Sequence, residues 1–541
     1  MYVDSCKTGK YTRHLLRESF REGGKVKHRT ILNISHLPDE EINALKLALK
    51  HKQNLQSLID QKVEATQGKS VGSVWVIDQI AKELGIKKAL GNTDAGKLAL
   101  YQVYARVLEQ GSRLSAIRLN KIHSLTEVLS ITKDFNENHL YENLNWLAEN
   151  QNTIEEKLIR SHYKDSDTQP QLFLYDVTSS YLEGEHNELS AFGYNRDGKK
   201  NKKQIVIGLL CDQDGCPVSI EVFPGNTNDT KTFSNQLVKI CKRFESKGIT
   251  LVGDRGMIKG PQIEEIEQKE LTYITAITNQ QIQTLEKNGI IQMELFEEVL
   301  SEIEDGDIRY ILRRNPVREQ EIQKSRQSKL EALQDFVEKQ ITYLKYHPRA
   351  RTETAKNKVQ EYLEKLSLES FVDLEEDGNY FQIVIDSEKL EAISRFDGCY
   401  AIKTNVSKDL ADKEQIHGRY KDLSKVESAF RTCKSNLELR PIHVRKEDRT
   451  KGHVFIVMLA YQIVRRLEHY WKDLDLTVKE GLSSLQSICI HELHTKNTSL
   501  GYSIPKPSSL NKELLDAIGI KLPTQLKSTK TGVSTKKHNA I

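Results

Sequence analysis

Leu172-Phe-Leu-Tyr-Asp176-Val is a short apolar run that closes on an acid, and it opens the stretch that decides the fold. Ile205-Val-Ile-Gly-Leu-Leu210 is a second apolar run. Asp212-Gln-Asp-Gly215 is a hairpin turn signal, and Pro217-Val-Ser-Ile-Glu-Val-Phe223 is a third strand. Thr230 to Phe244 reads as a helix. Ile249-Thr-Leu-Val-Gly253 is a fourth strand ending on Asp254, Pro261 to Lys269 a second helix, and Leu271-Thr-Tyr-Ile-Thr-Ala-Ile277 a fifth strand. Three hairpin-linked strands, then helix, strand, helix and strand, give an α/β fold of ribonuclease-H-like order. Topology alone does not give function.

Downstream lies Tyr420-Lys-Asp-Leu-Ser-Lys-Val-Glu427-Ser-Ala-Phe-Arg431-Thr-Cys-Lys434. At the helical advance of about 100° per residue, Leu423, Val426, Phe430, Cys433 and Leu437 form an apolar stripe. Tyr420, Glu427, Arg431 and Lys434 form a polar row at its edge. Alone, Asp176 reads as a turn cap, Asp254 as a turn acid paired with Arg255, and Glu427 as a surface residue paired with Arg431 at i+4. Together they change meaning. Two acids at the ends of neighbouring strands repel unless cations lie between them. A third acid from a helix completes the set that two-metal phosphoryl transfer requires, with Asp176, Asp254 and Glu427 as catalytic metal ligands. Mg²⁺ or Mn²⁺, two ions, suits oxygen donors. Tyr420, Arg431 and Lys434 would then face DNA phosphates.

This chain resembles the DDE transposases of bacterial insertion sequences, in the group with a Tyr-x2-Arg-x3-Glu-x6-Lys signature. Tyr420, Glu427 and Lys434 fall at matching positions. Asp176 in Leu-Tyr-Asp-Val-Thr-Ser-Ser-Tyr resembles the first acid, and Asp254 in Gly-Asp-Arg-Gly-Met the second. Pro224-Gly-Asn-Thr-Asn-Asp229-Thr-Lys-Thr-Phe233 is similar to the Gly-Asn-x-x-Asp segment between them. The resemblance covers residues 170–465, and the first 70 residues resemble the N-terminal region of a long-chain subgroup. It departs at Leu423, which stands where the signature has Arg; Arg431 or Arg419 could supply that cation. The resemblance implies binding of double-stranded DNA (terminal inverted repeats and target DNA), strand cleavage and strand transfer, cut-and-paste movement, and a homodimer on paired ends. It implies a bacterial cytoplasmic, nucleoid-associated protein. A metal-dependent nuclease of the same fold without strand transfer, or a DNA-binding protein with a decayed site, are the alternatives.

The 541 residues suffice for several domains. Residues 1–70 read as a basic N-terminal DNA-binding region, where Lys7, Lys10, Arg13, Arg17, Arg21, Lys25, Lys27 and Arg29 outnumber Asp4, Glu18 and Glu22 within the first thirty residues. A helix is expected over 38–66. Residues 71–165 read as a helical domain, 166–284 as the first part of the core, and 285–395 as an insertion with a β platform and helical hairpin. Residues 396–475 read as the second part, carrying Glu427, and 476–541 as a C-terminal helix and basic tail. Arg196, Lys199, Lys200, Lys202 and Lys203 precede the second strand, with only Asp197 against them, and are candidate DNA contacts. Asn226 and Asp229 either shape the site or cap the following helix. His443 and His453 read as structural, since hard-cation sites favour oxygen.

Net charge is only +4, so charge alone does not announce nucleic acid. Seven scattered cysteines without Cys-x-x-Cys support neither a disulfide framework nor a zinc knuckle. The longest apolar run, Val454 to Val464, is too short to span a bilayer, so no membrane partner is expected.

Overall fold

The computed structural model describes residues 1–8, 11–50, 64–163, 170–184, 186–199, 201–244, 248–377, 380–495, 498–524, 526 and 531–534. Lys10, Lys200, residues 51–63 of the expected N-terminal helix and the tail lysines Lys527, Lys530, Lys536 and Lys537 lie outside them. The chain divides into two compact units: residues 1–79, 118–132 and 468–532, and residues 80–117, 133–467 and 533–541.

The second unit is built on β1 (Leu172–Tyr181), β2 (Gln204–Asp212), β3 (Pro217–Pro224), α1 (Asp229–Arg243), β4 (Thr250–Gly253), α2 (Gly260–Glu267) and β5 (Thr272–Ala276). These follow the expected order. β1, β2 and β3 pair antiparallel, β4 lies parallel to β1, and β5 lies parallel to β4. The order is that of a ribonuclease-H-like sheet. Side chains alternate across it. Phe173, Tyr175 and Val177 of β1 join Phe233, Leu237 and Ile240 of α1 and Ile266 of α2 in one buried cluster. Gly208 is fixed by that packing: a Cβ there would meet the Tyr175 hydroxyl at 2.2 Å.

The insertion does not form a separate platform throughout. Its first hairpin, β6 (Ser301–Asp305) and β7 (Ile308–Arg314), pairs with the returning strand β10 (Cys399–Thr404) and extends the main sheet. Among the described residues that sheet has eight strands, ordered β6-β7-β10-β5-β4-β1-β2-β3. Between β7 and β10 come the helices α3 (Pro316–Tyr346) and α4 (Thr352–Leu366), with the ribbon β8 (Val372–Asp377) and β9 (Tyr380–Ile385) packed on them around Leu333, Val337, Val359, Leu363 and Phe381.

In the first unit, strands Tyr2–Thr8, Tyr11–Glu22 and Lys25–Asn33 form an antiparallel sheet. The helix expected over 38–66 is described as Asp39–Lys50, and Glu64–Ser70 is a strand paired with Cys489–Thr495. Within 476–541, expected as a C-terminal helix and basic tail, Cys489–Thr495 also forms a hairpin with Thr498–Ser503, because His491, Glu492 and Leu493 carry no helical stripe. Among the described residues no helix is long and apolar enough to cross a membrane.

Candidate active site

Register brings the first two acids together. Tyr175 of β1 pairs with Gly253 of β4. Asp176 and Asp254 are the next residue on each chain, so they sit side by side where these parallel strands end their pairing. Because Tyr175 and Val177 face the buried cluster, Asp176 faces the opposite side of the sheet. That side is covered by α6 (Leu423–Arg431), which packs on β1 and carries Glu427.

Asp176 is partly buried, whereas Asp254 and Glu427 are exposed. Burial pushes the Asp176 carboxyl up to about 7, and the negative charges of Glu427 and Asp254 push the same way. The Val177 amide, donating to Oδ1 at 2.7 Å, and the charge of Arg196 oppose this. A carboxyl held this high by its surroundings and by two like charges is a site that a cation would relieve. Asp254 accepts from the Arg255 amide at 2.7 Å and from the Tyr420 hydroxyl at 3.4 Å. Burial, and then Asp254, raise the Tyr420 phenol well above its usual value, so it stays a donor.

The polar row expected on one helix is divided. The helix breaks at Asp422: Tyr420 lies at the end of α5 (Lys413–Lys421), which begins in a capping box between Asp412 and Gln415, and Glu427 lies in α6. Residues Thr432–Asn436 then form a π turn. Such a turn rotates less per residue than an α turn, which swings Lys434 from the Glu427 row toward the buried stripe. Val426, Phe430, Cys433 and Leu437 are buried as the stripe predicts, while Leu423 is only half-buried. Arg431 is exposed and has no ion-pair partner among the described residues. Lys434 is turned inward, its Nζ 2.8 Å from Asp197 Oδ1.

Asp197 is the residue that sequence reasoning missed. Its side chain is 1% exposed. Oδ1 accepts from Lys434 and, at 2.9 Å, from Arg440, and Oδ2 accepts from the Tyr181 amide at 3.1 Å. The basic segment before β2 is thereby tied both to β1 and to the chain that follows Glu427. The available signal was a single acid in a run of cations. Arg196 is also engaged, with both Asp229 oxygens at 2.7 and 2.6 Å. Lys202 pairs with Glu183 at 3.1 Å, whereas Lys199 and Lys203 are exposed.

The Gly225–Asp229 turn lines a groove of about 600 Å³ with Phe192, Tyr194 and Arg196. Gly225 must be glycine, since a Cβ would lie 1.9 Å from the Gln204 carbonyl. His453 is buried, with Nδ1 2.7 Å from Arg113.

The three acids are near enough to interact, but their oxygens do not all fall within 4.8 Å of one another, as the ligand atoms of His162, Asp212 and Cys216 do. The tighter group reads as a hairpin turn. Asp212 accepts from the Asp214 and Cys216 amides and from the Tyr163 hydroxyl, and burial together with Asp212 pushes the Cys216 thiol up to about 12.

Two family models match the chain. The family described as "Transposase DDE domain" matches residues 167–463, and "IS1634 family transposase, N-terminal domain" matches residues 3–62. Among solved structures, the chain is similar at 11% identity to a piggyBac transposase synaptic complex with hairpin DNA (TM-score 0.34, covering 76% of this chain and 70% of that one). It is also similar, at 11% identity, to a Mos1 transposase paired-end complex with left transposon end (TM-score 0.15, covering 28% and 52%). No curated protein matches it. DDE transposases generally use divalent metal ions. With the DDE-domain match spanning more than half of its length, and an insertion-sequence N-terminal domain ahead of it, this chain belongs to the DDE transposases of bacterial insertion sequences.

Proposed function

We propose that this transposase binds the terminal inverted repeats of its own element and performs strand cleavage and strand transfer at Asp176, Asp254 and Glu427. One observation carries the reading: the β1–β4 register sets Asp176 beside Asp254, and the helix bearing Glu427 packs against β1. Three oxygen donors with a raised carboxyl among them fit two Mg²⁺ or Mn²⁺ ions. When bound, such ions lower the pKa of the attacking oxygen and neutralise charge on the leaving oxygen. The protein's own groups do the positioning. Tyr420 remains protonated and donates to Asp254 or to a phosphate. Arg431, Lys199 and Lys203 are exposed cations that reach the DNA backbone, and Lys434 holds α6 through Asp197.

In the N-terminal sheet Asp4, Glu18 and Glu22 are paired with Arg17, Arg29 and Lys27. Lys7, Arg13, Arg21 and Lys25 have no ion-pair partner among the described residues, which supports repeat binding there. A dimer on paired ends, working in the bacterial cytoplasm at the nucleoid, follows from the same reading.

Labelled element ends incubated with a target plasmid test it. The wild-type chain should cut and join in Mg²⁺ or Mn²⁺ and stop when a chelator is added. Asp176→Asn, Asp254→Asn and Glu427→Gln should each bind ends but neither cut nor join. Products that are cut and never joined would make the protein a nuclease. Undiminished cleavage by any of the three variants would remove that acid from the site.

A further inference from the structure

The helical arm of the insertion has an uneven charge. From Pro316 to Lys339, Arg318, Lys324, Arg326, Lys329 and Lys339 are matched by Glu319, Glu321, Glu331, Asp335 and Glu338. Past the tip, from Val359 to Glu369, Glu361, Glu364 and Glu369 outnumber Lys365. Between these, from Tyr343 to Lys358, Lys345, Arg349, Arg351, Lys356 and Lys358 face Glu353 alone. The positive charge is therefore concentrated at one end of the arm.

That end is presented stiffly. α3 has 31 residues, a length of about 46 Å at helical rise. The core between α3 and α4 continues to the tip, where Leu344 is 9% and Ala355 4% exposed. Pro348 closes the turn between the helices, and the Tyr343 ring stacks on His347 with centroids 4.1 Å apart. Tyr346, at the end of α3, is 79% exposed. Arg349, Arg351 and Lys358 are exposed and have no ion-pair partner among the described residues. Three unpaired cations and an exposed tyrosine thus stand together at the end of a long, internally packed helical pair.

We propose that the tip of this arm is a contact surface for the phosphate backbone of duplex DNA, with Arg349, Arg351 and Lys358 on phosphates and the Tyr346 hydroxyl donating to one. This deepens the function proposed above and rests on it. Cations on long stems track backbone charge without reading base edges, so the contact is independent of sequence.

Fluorescence anisotropy of the full chain, on an element-end duplex and an unrelated duplex across a salt series, tests the idea. The combined Arg349→Ala, Arg351→Ala, Lys358→Ala variant should reduce the slope of log affinity against log salt by about 3. It should weaken both duplexes alike, by at least about tenfold at low salt. Circular dichroism should match wild type, because all three side chains are exposed. Tyr346→Phe should give a smaller, equally sequence-independent loss. Unchanged slope and affinity overturn the proposal, and so does a loss confined to the element end, which would make the tip a base reader. Wild-type protein that neither binds nor cuts duplex would instead overturn the function on which the proposal rests.

Discussion

Lys434 and Arg431 stand three residues apart in one polar row of the sequence, and the structure gives them opposite environments. Lys434 completes a buried pair with Asp197; Arg431 is exposed and unpaired. Lys434→Met should therefore cost about 3 kcal/mol in urea unfolding, since it leaves the Asp197 charge buried with one cation fewer. Arg440 and the Tyr181 amide still hold Asp197 in the variant and keep the loss from being larger. Arg431→Ala should change stability by less than about 0.5 kcal/mol while lowering the salt slope of DNA binding by about 1. Equal stability of Lys434→Met and wild type would contradict the buried pair. At this scale Asp176 and Asp254 stand out in the sequence as acids that follow apolar runs, a local pattern, although β1 continues past Asp176 to Tyr181 rather than ending on it. The burial of Lys434 does not stand out. It depends on a partner 237 residues away and on a π turn, and periodicity arguments assume the regular helix that the π turn interrupts.

The elements were legible where burial writes itself into composition. β2 is buried along its whole length and reads as an unbroken apolar run from Ile205 to Cys211. β6, with the sequence Ser-Glu-Ile-Glu-Asp, offers one apolar residue and no such signal. It is a strand because the Gly306–Asp307 turn folds it onto β7, so its membership of the sheet comes from its neighbour. Neighbour packing also governs Gly208. It lies opposite Val177 in register, and Tyr175 closes over it. Gly208→Ala should cost about 1–3 kcal/mol by overpacking. Tyr175→Phe in the same chain should recover part of that loss, because the hydroxyl makes the 2.2 Å contact while ring carbons remain at 3.0 Å. Urea midpoints of the two single variants and the double variant decide it. An equal cost of Gly208→Ala in both backgrounds would mean that the contact is not the cause.

For the whole molecule the near-neutral net charge hides how charge is placed: unpaired cations gather on the N-terminal sheet and at the arm tip, while cations near the acids are partly neutralised by Asp197, Asp229 and Glu183. The arm is also separable in principle. It leaves the sheet after Arg314 and returns at Cys399, and these two residues pair with each other. The Asn315 amide donates to the Gly398 carbonyl at 2.8 Å, and Gly398 already has φ 73°. Excising Pro316–Asp397 leaves Arg314-Asn315-Gly398-Cys399, and Asn-Gly is the favoured two-residue turn of a β-hairpin. The excision removes the arm's own core, which is distinct from the cluster under β1, and takes Phe396 and the Arg395–Glu286 pair from beside β7 and β10. The unit that carries the sheet should thus keep a cooperative urea transition in the trimmed chain, lowered by about 3 kcal/mol for the lost aromatic packing. Its salt slope for DNA should fall by about 3, as in the triple tip variant, if the tip is where the arm meets phosphate. Loss of cooperative unfolding would show that the arm is part of the catalytic core. Cooperative folding with an unchanged salt slope would leave the core intact and take the arm away from DNA.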